Sequence, residues 1–218
     1  MGGAVDIHLE NIDPSELTND IVTVSQLQVA LRADGHGLQN RLTELGENAD
    51  TSTSEGLFEL LQQVAKLLLE RSSYWTHVLA SSETVYSREE AEALFVQRSL
   101  HERSKFQAET LSNVDGVIRE QPLPPEPSGA DPTLRQTATN RSHKTYTVVT
   151  LLLGTADDQP LFGEIYTTSV LRDVLQDISM MRSPYLLAFE LLWTPQLTND
   201  VLSEKELAVD YGDMIAID

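Results

Sequence analysis

The stretch Tyr185–Pro195, YLLAFELLWTP, decides the fold class: from Tyr185 to Trp193 every position is apolar except Glu190. Taken in steps of two, Tyr185, Leu187, Phe189, Leu191 and Trp193 share one face, and Leu186, Ala188, Glu190 and Leu192 share the other. Apolar residues on both faces predict a central strand covered on two sides, ended by Pro195, which has no N–H for a ladder. Upstream, Tyr146–Leu153 (YTVVTLLL) predicts a second buried strand, and Thr168 opens a helix with Val170, Leu171, Val174, Leu175 and Ile178 inward. Strand, helix and strand in that order predict a parallel pair with a right-handed crossover. The connecting loop Gly154–Thr167, with Asp157 and Asp158, then lies where α/β folds place ligands. It has neither a GxGxxG nor a lysine, so nucleotide binding gains no support.

Further from that unit the pattern turns helical. Val24, Leu27, Leu31, Leu38, Leu42 and Leu45 step by threes and fours and predict one helical stripe, loosened at Gly35 and Gly37. Asp34 and His36 at that point are either a polar pair facing a pocket or a solvent-exposed turn. Asn48–Gly56 is a start signal with a capping box from Ser52 to Glu55, followed by the stripe Leu57, Leu60, Leu61, Val64, Leu67 and Leu68. Tyr74–Tyr86 holds a short strand or an extended crossing, and Ser87 with Glu90 caps a third helix carrying Ala91, Leu94 and Phe95 inward. Ser99–Asn113 reads as a separate short helix, where Glu102, Arg103, Lys105 and Glu109 can pair at helical spacings. Exposed pairs of that kind contribute only a few tenths of a kcal/mol. Ser203 and Glu206 cap a last helix running through Leu207 and Tyr211.

These readings predict an α+β fold of α/β-like character, a helical amino-terminal half joined to a strand-helix-strand unit, with one small mixed sheet covered by helices. The expected organisation is an acidic flexible arm at 1–22, a helix-rich half with one or two short strands at 23–119, a proline-rich linker or loop at 120–144, and a β-α-β-α half at 145–218. The two halves are expected to pack as one domain. The linker stands out because five of the nine prolines lie in it.

The net charge of −19, from 34 acidic and 15 basic residues, repels nucleic acid and anionic lipid heads and favours a basic protein partner or a divalent cation. There is no cysteine, hence no disulfide, thiolate metal site or cysteine nucleophile. No apolar run approaches the roughly 20 residues of a membrane-spanning helix. No nucleophile-base pair and no metal-ligand spacing is present, so the expectation is a non-enzymatic chain without cofactor, catalytic or metal residues. Three functional readings stay in play. One is an interaction module, whose candidate polar or interaction residues are Glu190, Trp193, Arg103, Glu102, Glu109, Asp34 and His36. A second is an enzyme that combines Glu190 with Asp34, His36 or the Asp157-Asp158 loop, since a carboxylate among apolar residues has its proton affinity raised; the alternative is that a helix end, a backbone amide or an arginine, Arg98 or Arg103, binds it. The third is calcium held by Asp157 with Asp158 or Asp210 with Asp213, although neither pair has EF-hand spacing.

The segments SQLQVAL (25–31), ENADTSTSEGLFELL (47–61), SYW (73–75), SLHERSKFQAETLSNVDG (99–116), YTVVTLLLGT (146–155) and FELLWTPQ (189–196) occur in order around a proline-rich gap. Together they resemble the domain-of-unknown-function family 1517 of cyanobacteria and plant plastids, whose members include a plant fluctuating-light acclimation protein. The resemblance covers about Val24 to Tyr211. It implies a regulatory or interaction role in light acclimation or ion homeostasis, with protein partners at a membrane. It implies a place on the cytoplasmic or stromal face of the thylakoid, as the soluble part of a tethered protein or as a soluble member. It brings no catalytic residues. Plant relatives read Tyr-Pro where this chain has Tyr211-Gly212.

Overall fold

A computed structural model describes residues 15–33, 37–110, 144–196 and 202–218, the side chains of 106–110 excepted. In chain order the elements are β1 (Val22–Arg32), α1 (Leu38–Asn48), α2 (Ser54–Glu70), β2 (Trp75–Val85), α3 (Arg88–Thr110), β3 (Thr145–Thr155), α4 (Thr168–Met180), β4 (Leu186–Thr194), β5 (Leu202–Ser203), α5 (Glu204–Asp210) and β6 (Ile215–Ala216). The fold is α+β. The strands form one sheet in the order β4-β3-β1-β2-β6, with β5 also on β3, and every pairing is antiparallel.

One expectation falls at β1. Val24, Leu27 and Leu31 belong to a strand, and the helix starts only at Leu38. In the strand Leu27 and Leu31 share one face with Thr23, Ser25 and Val29, while Val24 faces the other side, so burial on both faces imitates a helical stripe. Thr23 Oγ1 meets Thr84 Oγ1 at 2.7 Å and Ser25 Oγ meets Ser82 Oγ at 2.7 Å on β2, so both hydroxyls are buried at little cost. Every residue of β1 except Arg32 is buried, which makes β1 and β3 the two-sided interior of the sheet.

The parallel crossover is also overturned, because β3 and β4 pair antiparallel, with Leu152 opposite Glu190 and Val148 opposite Thr194. The segment after β3 explains the reversal. Ala156 N–H bonds to the Tyr185 carbonyl at one end of the sheet, and Thr168 N–H bonds to the Asp218 carbonyl at the other end, where Ile217 joins Thr76. Residues 156–167 therefore run the length of the sheet before α4 begins, and α4 returns the chain to the end it left. The next strand must then run against β3. Among the described residues β4 is the terminal strand of the sheet and not its centre; Leu187 on it is 43% exposed.

The helices divide between the two faces. On one face α1, α2 and α4 cover Leu27, Val29, Leu31, Val149, Leu151, Leu153 and Phe189 in the main core, which draws on residues from both sides of the proline-rich break. Thr53 Oγ1 accepts from Gly56 N–H to cap α2, one residue beyond the predicted Ser52, whose hydroxyl bonds Asp50 instead. Thr167 caps α4, with Leu171, Val174, Leu175 and Ile178 buried and Val170 exposed. On the other face lie α3 and α5. Ser87 Oγ caps α3 by accepting from Glu90 N–H, and Ser203 with Glu206 makes the full capping box of α5. The short helix predicted at 99–113 is instead the continuation of α3, since nothing between Phe95 and Ser99 breaks the helix and Glu102 supplies the inward anchor that apolar residues do not.

Candidate functional site

The α3 face of the sheet has two separate apolar patches. Val22, Val24, Val85, Ala91 and Leu152 form one, with Leu94 and Phe95 against it; Ala30, Tyr146, Val148, Leu202, Leu207, Tyr211 and Met214 form the other. Between them the side chains that point from the sheet to α3 are Gln26, Gln28 and Thr150, so a polar belt crosses the middle of this face. Glu102, 2% exposed, closes the belt from the helix. Its Oε1 accepts from Gln26 Nε2 at 3.0 Å and its Oε2 from Gln28 Nε2 at 2.7 Å, while Gln28 Nε2 also donates to Thr150 Oγ1 at 2.9 Å. Lys105 Nζ donates to both carboxylate oxygens at 2.9 and 3.0 Å and lies 4.4 Å from the centre of the Tyr211 ring. A buried carboxylate is tolerated only when paired and hydrogen-bonded, and this one is both.

Two arginines flank the belt. Arg103 Nε donates to Glu190 Oε1 at 2.8 Å and its guanidinium bonds the same oxygen a second time, tying α3 to β4. Arg98 donates to the Val24 carbonyl at 3.2 Å and to Glu83 Oε2 at 3.0 Å, tying α3 to β1 and β2. All of these ionic groups serve helix-to-sheet attachment. Glu102 and Glu190, the carboxylates of this interface, both accept hydrogen bonds from protein partners.

The concave surface of this face is apolar. A groove of about 210 Å³ is lined by Val22, Val24, Gly154, Ala188, Ala91 and Phe95, with Leu187 at its lip and Arg88 and Glu92 at its rim. Gly154 leaves room in its floor: a Cβ there would sit 3.4 Å from Ala188 Cβ and 3.8 Å from Phe95 Cδ2. At the same end of the sheet, Glu16, Asp157 and Asp158 form an acidic cluster. Tyr185 donates its hydroxyl to Glu16 at 2.7 Å, and Asn19 Nδ2 donates to both Asp158 oxygens at 2.9 and 3.0 Å. Burial, with the Glu16 and Asp158 charges, raises the Asp157 carboxyl above the usual range, offset in part by the Thr155 hydroxyl.

The sequence profile of the family described as "Protein of unknown function (DUF1517)" matches residues 21–217, from the start of β1 past β6. The chain belongs to that family. It is 35% identical over 200 residues to FLUCTUATING-LIGHT-ACCLIMATION protein 1, chloroplastic, of Arabidopsis thaliana, a match covering 91% of this chain and 48% of that protein. It is 33% identical over 193 residues to Protein FLAP1 homolog A of a Synechocystis strain, covering 88% of this chain and 56% of the relative. The chain thus spans about half the length of each. No solved structure matches it.

Within the family match, the structure brings Glu102, Arg103 and Glu190 together across the α3 interface, the guanidinium filling the role of counter-ion to Glu190. Trp193, partly buried, packs against the main core on the opposite face of β4 and does not join them. Asp34 and His36 lie outside the described residues, as do the side chain of Glu109 and the linker residues 120–143. The exposed-pair reading of Glu102 is corrected: its carboxylate is buried because two glutamines on β1 meet it. Those glutamines and the Tyr211 ring were not foreseen. The signal available was SQLQVAL itself, in which Gln26 and Gln28 sit two apart inside a strand-like alternation and so share a face. Among the described residues no helix is long and apolar enough to cross a membrane, and no cluster of acidic or histidine side chains is placed to hold a metal ion.

Proposed function

We propose that this chain is a non-enzymatic interaction or regulatory module working through protein partners at the thylakoid membrane, on its stromal or cytoplasmic face, in light acclimation or ion homeostasis. The observation that carries the non-enzymatic reading is the division of labour on the α3 face. Glu102 and Glu190, the carboxylates between α3 and the sheet, are bound by Gln26, Gln28, Lys105 and Arg103, while the concave surface is apolar. Such a surface suits recognition better than proton transfer, which needs a titratable group within reach of a substrate. The names of the relatives, one of them a chloroplast protein of fluctuating-light acclimation, support the setting. The −19 charge supports a basic protein partner over direct contact with anionic lipid.

The experiment is affinity capture from solubilised thylakoids with the purified chain as bait, paired with growth and chlorophyll fluorescence of a deletion strain under fluctuating light. Reproducible membrane-protein partners and a fluctuating-light phenotype are expected. Empty capture together with a deletion strain indistinguishable from its parent would sink the proposal.

A further inference from the structure

The groove beside α3 lies next to an open strand edge. Among the described residues β4 ends the strand order, so its outer backbone N–H and C=O groups meet no further strand. Natural sheets usually blunt such edges with charge, proline or a covering element. Here the only charged side chain on β4 is Glu190, and it is turned back onto Arg103. At the amino end of β4 the register slips: Ala188 faces Gly154 and Leu186 faces Thr155, leaving Leu187 without a partner on β3. The slip turns Leu187 to the groove, where it lines the mouth at 43% exposure. A strand edge and an apolar pocket side by side are the two halves of strand-addition recognition, in which backbone bonds supply affinity and a pocket reads an alternate side chain.

We infer that β4 and this groove together receive an extended segment of a partner protein, which adds as a new outer strand and inserts one large apolar side chain under α3, between Phe95 and Leu187; the inference rests on the interaction-module reading. The size sets the anchor. A cavity of about 210 Å³ compares with the ~150 Å³ apolar cavity that holds a benzene ring, so one phenylalanine- or leucine-sized group fits and a second does not. The charge sets the flanks. The first turn of α3 carries Glu89 and Glu90, and Glu92 stands at the rim. Among the described residues the one rim cation, Arg88, is engaged by the Asn19 carbonyl at 3.2 Å and by Asp20 at 3.4 Å. A segment with lysine or arginine two residues to either side of its anchor, on the anchor's own face, is therefore attracted, and an acidic one is repelled.

The probe is a fluorescein-labelled peptide, TKTFTKT, whose lysines share the face of the phenylalanine, titrated with the purified full chain and read by anisotropy. Its comparators are TKTSTKT, TETFTET, and TKTFTKT with alternate backbone nitrogens methylated so that it cannot pair as a strand. TKTFTKT is expected to bind at least tenfold more tightly than all three, and to slow amide exchange in β4. Ala188→Leu, which fills the groove, and Leu187→Ser, which removes its lip, should each weaken binding at least tenfold with the circular dichroism unchanged; the exposed Leu187 position keeps the test valid if the filled variant folds poorly. Equal binding of the serine or methylated peptide would mean charge attraction alone and overturn the inference, as would binding that neither variant alters, or no binding. A concentration-dependent dimer that Ala188→Leu dissolves would overturn it in favour of a second copy. These peptide measurements judge the groove, whereas capture from thylakoids judges the broader role, so either can fail without the other.

Discussion

Replacing Glu102 by leucine tests how α3 is held on the sheet. The substitution keeps bulk at a position that is 2% exposed but removes the acceptor of three donors: Gln26 Nε2, Gln28 Nε2 and Lys105 Nζ. Gln28 keeps Thr150 as a partner, so one amide and one ammonium lose theirs. A buried amide left unsatisfied costs about 1–3 kcal/mol, and breaking a buried ion pair by removing one member costs about 3–5 kcal/mol. The Lys105 side chain is 16% exposed and can turn towards water over the Tyr211 ring, so the lower part of that range applies. We expect Glu102→Leu to destabilise by about 3 kcal/mol in urea unfolding at neutral pH. An exposed helix pair of the same spacing would cost only a few tenths. The triple variant Gln26→Leu, Gln28→Leu, Glu102→Leu should recover most of the loss, since an apolar replacement of a whole buried polar cluster is often neutral or stabilising. A single-variant loss below about 1 kcal/mol, or a triple variant as unstable as the sum of its parts, would refute the view that a satisfied polar belt joins helix to sheet.

Asp157 predicts a pH dependence with a definite sign. Its folded pKa is raised, chiefly by burial and then by the Glu16 and Asp158 charges, so the folded chain holds a proton at pH values where the unfolded chain has released it. Its contribution to stability is present below the unfolded value and is lost as pH rises through the folded one. Asp157→Asn should therefore melt higher than the parent at about pH 8, with the difference vanishing towards about pH 4; a constant difference across that range would contradict the assignment. Gly56 and Gly46 make an opposed pair. A Cβ at Gly56 would lie 2.1 Å from the Asp50 carbonyl oxygen, so Gly56→Ala must displace backbone at the start of α2 and should cost about 2 kcal/mol or more. Nothing lies within 4 Å of a Cβ at Gly46 in α1, and Gly46→Ala should stabilise by about 0.5–1 kcal/mol, both read from urea midpoints.

The sequence alone determined what depends on neighbours within a turn or two. Ser87 before α3, Ser203 with Glu206 before α5, the inner stripe of α2 and the apolar run of β3 all follow from side chains acting on backbone a few residues away. The α+β class followed from the same local signals. Even the possibility that an arginine meets Glu190 was legible, because an isolated carboxylate in an apolar run calls for a cation. Where a strand buried on both faces imitated a helical stripe, local reading failed: Val24 on one face and Leu27 and Leu31 on the other suit a helix until Thr23 and Ser25 find hydroxyl partners on β2, more than 50 residues away. The direction of β4 and its place at the sheet edge were likewise outside local reach, since both depend on residues 156–167 running back along the sheet before α4 begins. Glu102 shows the same limit. Its surroundings on α3 read as a solvated charged face, and it is buried only because Gln26 and Gln28, 76 and 74 residues earlier, point at it from β1. Burial of charge is a property of the partners that tertiary structure supplies, and those partners were invisible from the helix that carries the carboxylate.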